Sequence, residues 1–344
     1  MRCQSISRRG ALAPPPSKAH TSYLRLISTI ARMLMMNISP EIVSLIEEIK
    51  NDRTHGASQL ARQAVNILKV AAEHSQSDGV GKFLQEQKEV GERLMSARPA
   101  MAPVFNTVNR LLSTIDGKAT EMDLDSIRRF TISKADEVIK GSLQAIAQIA
   151  KYGSGLIADG DRIMTHSYSS TVVAVLKEAF TKHRDIEVII TRSGPGRTGE
   201  RIARQLGLYG IPSTFIDDAA MGFYMPTVSK VMVGADRVCA DGKVVNGIGT
   251  YQLALVAERA GIPFYVLCET LKFDPRLRSN AVNLEEKEPS EVVKPGRLPP
   301  VVKVKNPYFD ITPLELVTGI VTENGLLSSG EVISYIEKNL VKGN

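Results

Sequence analysis

Asp236 directly follows the apolar run KVMVGA, and a carboxylate at the end of a buried strand is costly unless other groups hold it. Such a setting raises a carboxyl's hold on its proton, so Asp236 is a candidate for acid–base work, with a loop cap as the plainer alternative. His166, Ser167, Ser169 and Ser170 end a second apolar run and open a helical pattern. Ser169 or Ser170 suits a helix cap. Ser167 as a nucleophile would need a base, and the adjacent His166 would project to the opposite side of a strand. GxSxG is also absent, so serine hydrolase chemistry is disfavoured. In SGPGRTGER, Gly194, Gly196 and Gly199 let the backbone approach a ligand, and Arg192 and Arg197 could add charge-assisted contacts to a phosphate. The pattern is neither GxGxxG nor a Walker loop, and a flexible connection with surface arginines explains it equally well. Asn246 in VVNGIGTYQ is another polar residue at a strand end, where Gly247 and Gly249 also fit ordinary turn chemistry. Nearer the N-terminus, Arg53 and Arg98 sit where Gly56 and Pro99 interrupt helical stretches. By themselves these are turns between helices with solvated arginines.

The elements that must position these groups are of two kinds. NISPEIVSLIEEIKN starts a helix with Ser39 as cap, Pro40 at the first position and Glu41 in the first turn. Leu60, Ala64, Ile67, Leu68 and Ala71 then share one face of a second helix. Further helical patterns cover VGKFLQEQKEVGERLMSA, PVFNTVNRLLSTI and Ile127 to Tyr152, and no strand signal precedes Arg162. After Gly160 the pattern switches to short apolar runs, RIMTHS, EVIITR, STFID, KVMVGA and FYVLCE, separated by helical stretches. That alternation predicts a mostly parallel sheet covered on both faces. GIPSTF and GIPFYV each place a helix-ending Gly before a strand. The stretch Glu285 to Pro300 reads as a loop, Thr312-Pro313 as a helix start, Asn324-Gly325 as a turn, and SSGEVISYIEKNL as the last helix. The expected domains are an N-terminal extension (1–36), a helical domain (37–152) and an α/β domain (153–344).

At 344 residues, 43% hydrophobic and 23% charged, the composition is that of a soluble globular protein with real cores. The net charge of +6 hints at nucleic acid, but its location removes the hint. Arg2, Arg8, Arg9, Lys18, Arg25 and Arg32 precede the first acidic residue, Glu41, and setting them aside leaves 37 basic against 37 acidic residues. A basic binding face is therefore not supported, nor is a membrane span. The extension itself reads as an over-called start ahead of Met33, Met35 and Met36, or as an Arg- and Ser-rich transit-like segment. Cys3, Cys239 and Cys268 form no metal-ligand spacing, which fits a reducing compartment and predicts no metal.

THSYSSTV, TRSGPGRTG, DDAAMGFYM, VGADRV, NGIGTYQLAL, ETLKFDP and NPYFDITP, in this order, resemble the family of translation initiation factor 2B alpha, beta and delta subunits. That family includes two sugar-phosphate isomerases, acting on methylthioribose 1-phosphate and ribose 1,5-bisphosphate, and the resemblance runs from Ile38 to the C-terminus. It implies a helical domain on a Rossmann-like domain, usually in a dimer, with no cofactor and a cytoplasmic location. It also implies that Asp236 matches the isomerases' catalytic aspartate, while Ser167 stands in place of their cysteine. A thiol with a pKa of about 8.5 exchanges protons near neutral pH, whereas an unactivated hydroxyl does not. Gly247 replaces a family lysine, and the family loop arginine is absent or displaced to Arg192. Arg53, Gly56, Ala57 and Arg98 match positions that hold substrate phosphate in the isomerases, and Arg192, Arg197 and Asn246 complete the expected ligand set. The main expectation from the resemblance is a non-catalytic archaeal-type alpha-like subunit. It would bind initiation factor 2 and a sugar or nucleotide phosphate, as a homodimer or larger homo-oligomer. The alternative is an active aldose–ketose isomerase of ribose 1,5-bisphosphate or methylthioribose 1-phosphate.

Overall fold

Five helices precede the first strand in the computed structural model, which describes residues 38–52, 54–182 and 185–339. They are α1 (Pro40–Asn51), α2 (Ala57–His74), α3 (Val80–Ala97), α4 (Ala102–Asp116) and α5 (Leu124–Gly155). Pro40 takes the first helical position, where its missing N–H costs nothing. The apolar face of α2 forms as its spacing predicts, with Leu60, Ala64, Ile67, Leu68 and Ala71 all buried. Asp123 caps α5 by accepting a hydrogen bond from the Ser126 amide at 2.8 Å. With 32 residues, α5 runs for about 48 Å and packs on α2 at one end and on the α/β layer at the other. The chain divides into two units, Met1–Pro40 and Glu41–Asn344, and the layers and pocket belong to the second. The N-terminal extension expected at 1–36 lies outside the described residues.

The α/β layer is built on a seven-stranded sheet. Its strands are β1 (Arg162–Thr165), β2 (Glu187–Thr191), β3 (Ser213–Ile216), β4 (Lys230–Val233), β7 (Phe264–Leu267), β10 (Gly319–Thr322) and β11 (Gly325–Ser328). The order is β3-β2-β1-β4-β7-β10-β11, parallel throughout except for β11. Val188, Ile189 and Ile190 of β2 and Val231, Met232 and Val233 of β4 are buried on both faces, which is why these strands read as continuous apolar runs. Helices α6 (Ser170–Thr181), α7 (Gly199–Leu208), the short α8 (Met221–Tyr224), α9 (Thr250–Ala260) and α10 (Ser329–Asn339) complete the layer. Gly210 and Gly261, with φ of 72° and 70°, follow α7 and α9 as the Gly-Ile-Pro signals require. The chain steps outward from β1 to β3 and then returns to lay β4 beside β1. That reversal is the point at which open parallel sheets bind ligands, outside the strands' carboxyl ends.

Two features depart from the sequence reading. Beyond β4 the chain leaves the main sheet and enters a second one, order β8-β5-β6-β9, made of β5 (Arg237–Cys239), β6 (Val244–Gly247), β8 (Phe273–Asp274) and β9 (Phe309–Thr312). Strands of two to four residues leave no periodicity to detect. The helix expected from Thr312-Pro313 is absent: Thr312 ends β9, a single 3-10 turn covers Leu314–Leu316, and β10 and β11 form a hairpin. Asn324-Gly325 sits between two apolar runs, and Gly325 has φ 115°, so hairpin turn chemistry prevails over helix propensity. The second sheet is fastened to the helical layer by Arg237. Its buried guanidinium pairs with the fully buried Asp274 and donates to the Pro99 carbonyl at 2.7 Å and the Ala100 carbonyl at 3.4 Å.

Candidate functional site

Asp236 occupies the joint between the two sheets, one residue before β5. Its own amide donates to Val245 O at 2.8 Å, and its carbonyl accepts from the Ala102 amide at 3.2 Å, which ties it to the start of α4. The carboxyl faces a pocket of about 80 Å³ with three walls. Asp52, Thr54 to Gly56, Arg98 and Met101 come from the helical layer. His166 to Tyr168, Ser193 to Gly196, Thr198 and Gly247-Ile248 come from the sheet ends, and Lys287, Tyr308 and Phe309 from the C-terminal segment. Among the described residues nothing hydrogen-bonds the Asp236 carboxylate. Burial pushes its pKa up; Lys272, Arg98 and Arg237 oppose the rise without cancelling it, and Glu285 adds to it. A carboxyl whose hold on its proton is strengthened and which faces a pocket is suited to giving and taking protons.

Ser167 reaches the same pocket but has no base. Its φ of 62° places it in the left-handed region, and its side chain lies over Gly247, where an added Cβ would fall 2.5 Å from the Ser167 Oγ. A lysine at 247 would therefore collide with Ser167 as it stands. His166 is buried and fully engaged. Its Nε2 lies 2.7 Å from Ile248 O, which can only accept, so Nε2 carries the hydrogen, and Nδ1 lies 2.7 Å from Thr191 Oγ1. Burial lowers the imidazole's pKa, and Asp218, 3.9 Å away, opposes that shift without reversing it. Thr191 Oγ1 meets Ser193 Oγ at 3.1 Å, and Ser193 Oγ accepts the Ser167 amide at 2.8 Å. His166 thus fixes the backbone on which Ser167 sits and does not activate its hydroxyl. Ser169 is the cap expected for α6, accepting from the Val172 amide at 3.3 Å.

The glycine loop is real, but its anion seat is already filled. The amides of Ser193 and Gly194 both donate at 2.7 Å to the carboxylate of Asp218. At Gly199 an added Cβ would lie 1.9 Å from Thr191 O, so close packing of α7 on β2 is what demands glycine there. Arg192 reaches Asp217 at 3.3 Å and Arg197 turns to Glu200, so neither guanidinium lines the pocket. The amino end of α9 is filled likewise: Asp310 accepts from the amides of Gly249 at 2.7 Å and Tyr251 at 3.1 Å. Burial pushes the Asp310 carboxyl up to about 6 despite those bonds. Asn246 is buried with its amide on Thr250 Oγ1 at 3.0 Å, and it lines a small crevice behind Asp236 with Ala57 and Lys272.

On the helical side, Gly56 opens α2 without any side-chain cap, which leaves that helix end available to an anion. Ala57, its first residue, is buried, and Arg53 lies outside the described residues. Arg98 is buried, donates to Asp52 O at 2.8 Å and leaves its Nε without a partner. His55 is held by Asp52, its Nδ1 lying 2.7 Å from the carboxylate. Burial works against ionisation of Asp52, but the side-chain and backbone bonds from His55, with that from the Thr54 amide, bring its pKa below the usual value.

Sequence reasoning missed four groups at or near the site. Lys272 is buried with its ammonium 2.6 Å from Ala235 O, beside Asp236. Lys287 comes from a stretch that reads only as charged loop, and Tyr308 from NPYFDITP, a motif that assigns it no site role. Asp218 was within reach, because it stands two residues beyond the apolar run STFI, at the end of a patterned strand. Among the described residues no group of His, Cys, Asp and Glu is placed to hold a metal, and no helix is long and apolar enough to cross a membrane.

The chain is similar to several known proteins. The chain is 35% identical over 310 residues to ribose 1,5-bisphosphate isomerase of Thermococcus kodakarensis, covering 88% of this chain and 96% of that one. It is 34% identical over 286 residues to a putative translation initiation factor eIF-2B subunit 2-like protein of Pyrococcus horikoshii, covering 83% and 96%. Among solved structures, 5-methylthioribose 1-phosphate isomerase of Pyrococcus horikoshii OT3 superposes with a TM-score of 0.75 at 28% identity, covering 88% of each chain. Residues 53–329 match the model of the Initiation factor 2 subunit family, and the chain belongs to that family.

Proposed function

We propose that the pocket binds a phosphorylated aldose and that the chain is an aldose–ketose isomerase of the ribose 1,5-bisphosphate type. The observation that carries this reading is Asp236, a carboxyl whose pKa burial raises, facing a pocket that also holds the buried Arg98 with an unpartnered Nε. Arg98 and the uncapped start of α2 favour a phosphate. Asp236 gives its proton to the ring oxygen as the C1–O bond opens, and takes the C2 proton as the enol forms. It returns that proton to C1, and the C2 hydroxyl gives up its own proton to Asp236 as it becomes the ketone, which restores the acid. The Ser167 hydroxyl, without a base, serves in this scheme as a hydrogen-bonding group. The isomerase named among the relatives supports this reading over a purely regulatory one.

Turnover of ribose 1,5-bisphosphate to ribulose 1,5-bisphosphate by the purified chain tests it directly. Asp236→Asn should abolish that turnover, and Ser167→Cys, which supplies a more acidic group, should raise it. Measurable wild-type turnover that survives in Asp236→Asn would sink the assignment. Ser167 itself favours a second reading, a binding subunit whose pocket holds a sugar or nucleotide phosphate while the chain engages initiation factor 2 as a homo-oligomer. That reading requires no turnover, together with a complex with initiation factor 2 at micromolar concentrations; absence of the complex in sedimentation would remove it.

A further inference from the structure

The pocket receives cations from two separate walls at two depths. Arg98 is 6% exposed and enters from the helical layer. Lys287 enters from the C-terminal segment, its side chain 20% exposed. Lys287 is on a braced strap. Its amide donates to Asn306 O at 2.9 Å, Glu286 bridges to Pro307, and the Tyr308 amide donates to Glu285 O at 3.2 Å. The Ile248 amide then donates to Tyr308 O at 2.9 Å, fastening the strap to the sheet end. The ammonium bonds Glu285 Oε2 at 2.6 Å and stands 5.8 Å from the centre of the Tyr308 ring, so one of its three N–H donors is committed to a carboxylate.

The two amide seats nearest the sheet ends cannot take a second phosphate, because Asp218 and Asp310 occupy them. Arg192 and Arg197 are turned away. Arg98 and Lys287 line the same pocket from different segments, so a ligand held by Arg98 at one phosphate can offer Lys287 another.

We infer that Lys287 is a specificity-determining residue that seats a second phosphate, so that the pocket selects sugar bisphosphates over monophosphates. This deepens the isomerase reading and rests on it for the sugar. It also places the selecting ammonium on the strap, in a chain that has glycine at 247.

Calorimetry on the full chain at fixed salt tests it, with ribose 1,5-bisphosphate and ribose 5-phosphate as probes. The wild type should prefer the bisphosphate by at least about tenfold, in line with one charge-assisted phosphate contact. Lys287→Met should lose about tenfold for the bisphosphate and less than about twofold for the monophosphate, and Lys287→Arg should keep the preference. Equal loss for both ligands, or no loss for the bisphosphate, would overturn the role of Lys287 and leave the isomerase reading standing. Failure of the wild type to bind either sugar phosphate would overturn both. A thermal melt of Lys287→Met matching the wild type shows that the variant is folded.

Discussion

Replacing Asp274 by Ala should cost about 3–5 kcal/mol of folding stability, the usual penalty for stripping one member from a buried ion pair. Asp274 is fully buried and the Arg237 side chain is 3% exposed. The carboxylate also receives Arg276 through Nε at 2.9 Å and Nη2 at 3.1 Å, so it is a hub as well as a partner. Without it, Arg237 keeps only the carbonyls of Pro99 and Ala100, which carry no charge to offset the guanidinium. Against a typical total of about 5–15 kcal/mol, the loss is a fifth or more. Urea unfolding followed by circular dichroism measures it as a lower midpoint at unchanged slope. The double variant Arg237→Met, Asp274→Leu should recover part of the loss, because it removes the stranded charge along with its partner. A deficit below about 1 kcal/mol for Asp274→Ala would refute the argument, since it would mean that Arg237 finds solvent or another counterion.

Two further outcomes follow from the geometry. Burial raises Asp310 to about 6 in the fold from 3.8 in the free side chain, so the folded chain binds more protons than the unfolded one between those values. The contribution is fully present below about pH 3.8 and lost as pH climbs through about 6, and Asp310→Asn should flatten that part of a stability–pH profile. Gly199→Ala forces a Cβ to within 1.9 Å of Thr191 O. It should lower stability by about 1–3 kcal/mol in the same urea assay, as overpacking generally does.

Much of this fold is local in origin and therefore legible in the sequence. The face of α2, the cap at Ser169, the glycines ending α7 and α9 and the buried runs of β2 and β4 all follow from residues within a few positions of one another. Asp236 was legible for the same reason, standing at the end of a well-patterned element, whereas Arg98, which its own surroundings present as a solvated turn residue, is buried. What escaped depends on partners far along the chain. Arg237 meets Asp274 and Pro99, Asp218 meets the amides of Ser193 and Gly194, and Lys287 reaches the pocket because its strap pairs with 306–308. No periodicity announces such meetings. The two loop arginines illustrate the converse: their composition and position suggested phosphate, but Asp217 and Glu200 were near enough to claim them.

The fastening of Pro99 and Ala100 to Arg237 spans nearly 140 positions of chain. Contacts of that separation form late in folding, because a long loop must close before they return any stabilisation. The residues that face one another across the pocket meet through long-range closures of this kind, so the pocket does not exist until the helical layer has docked. A pocket ligand therefore has nothing to bind on the refolding side of the barrier and acts only as a brake on unfolding.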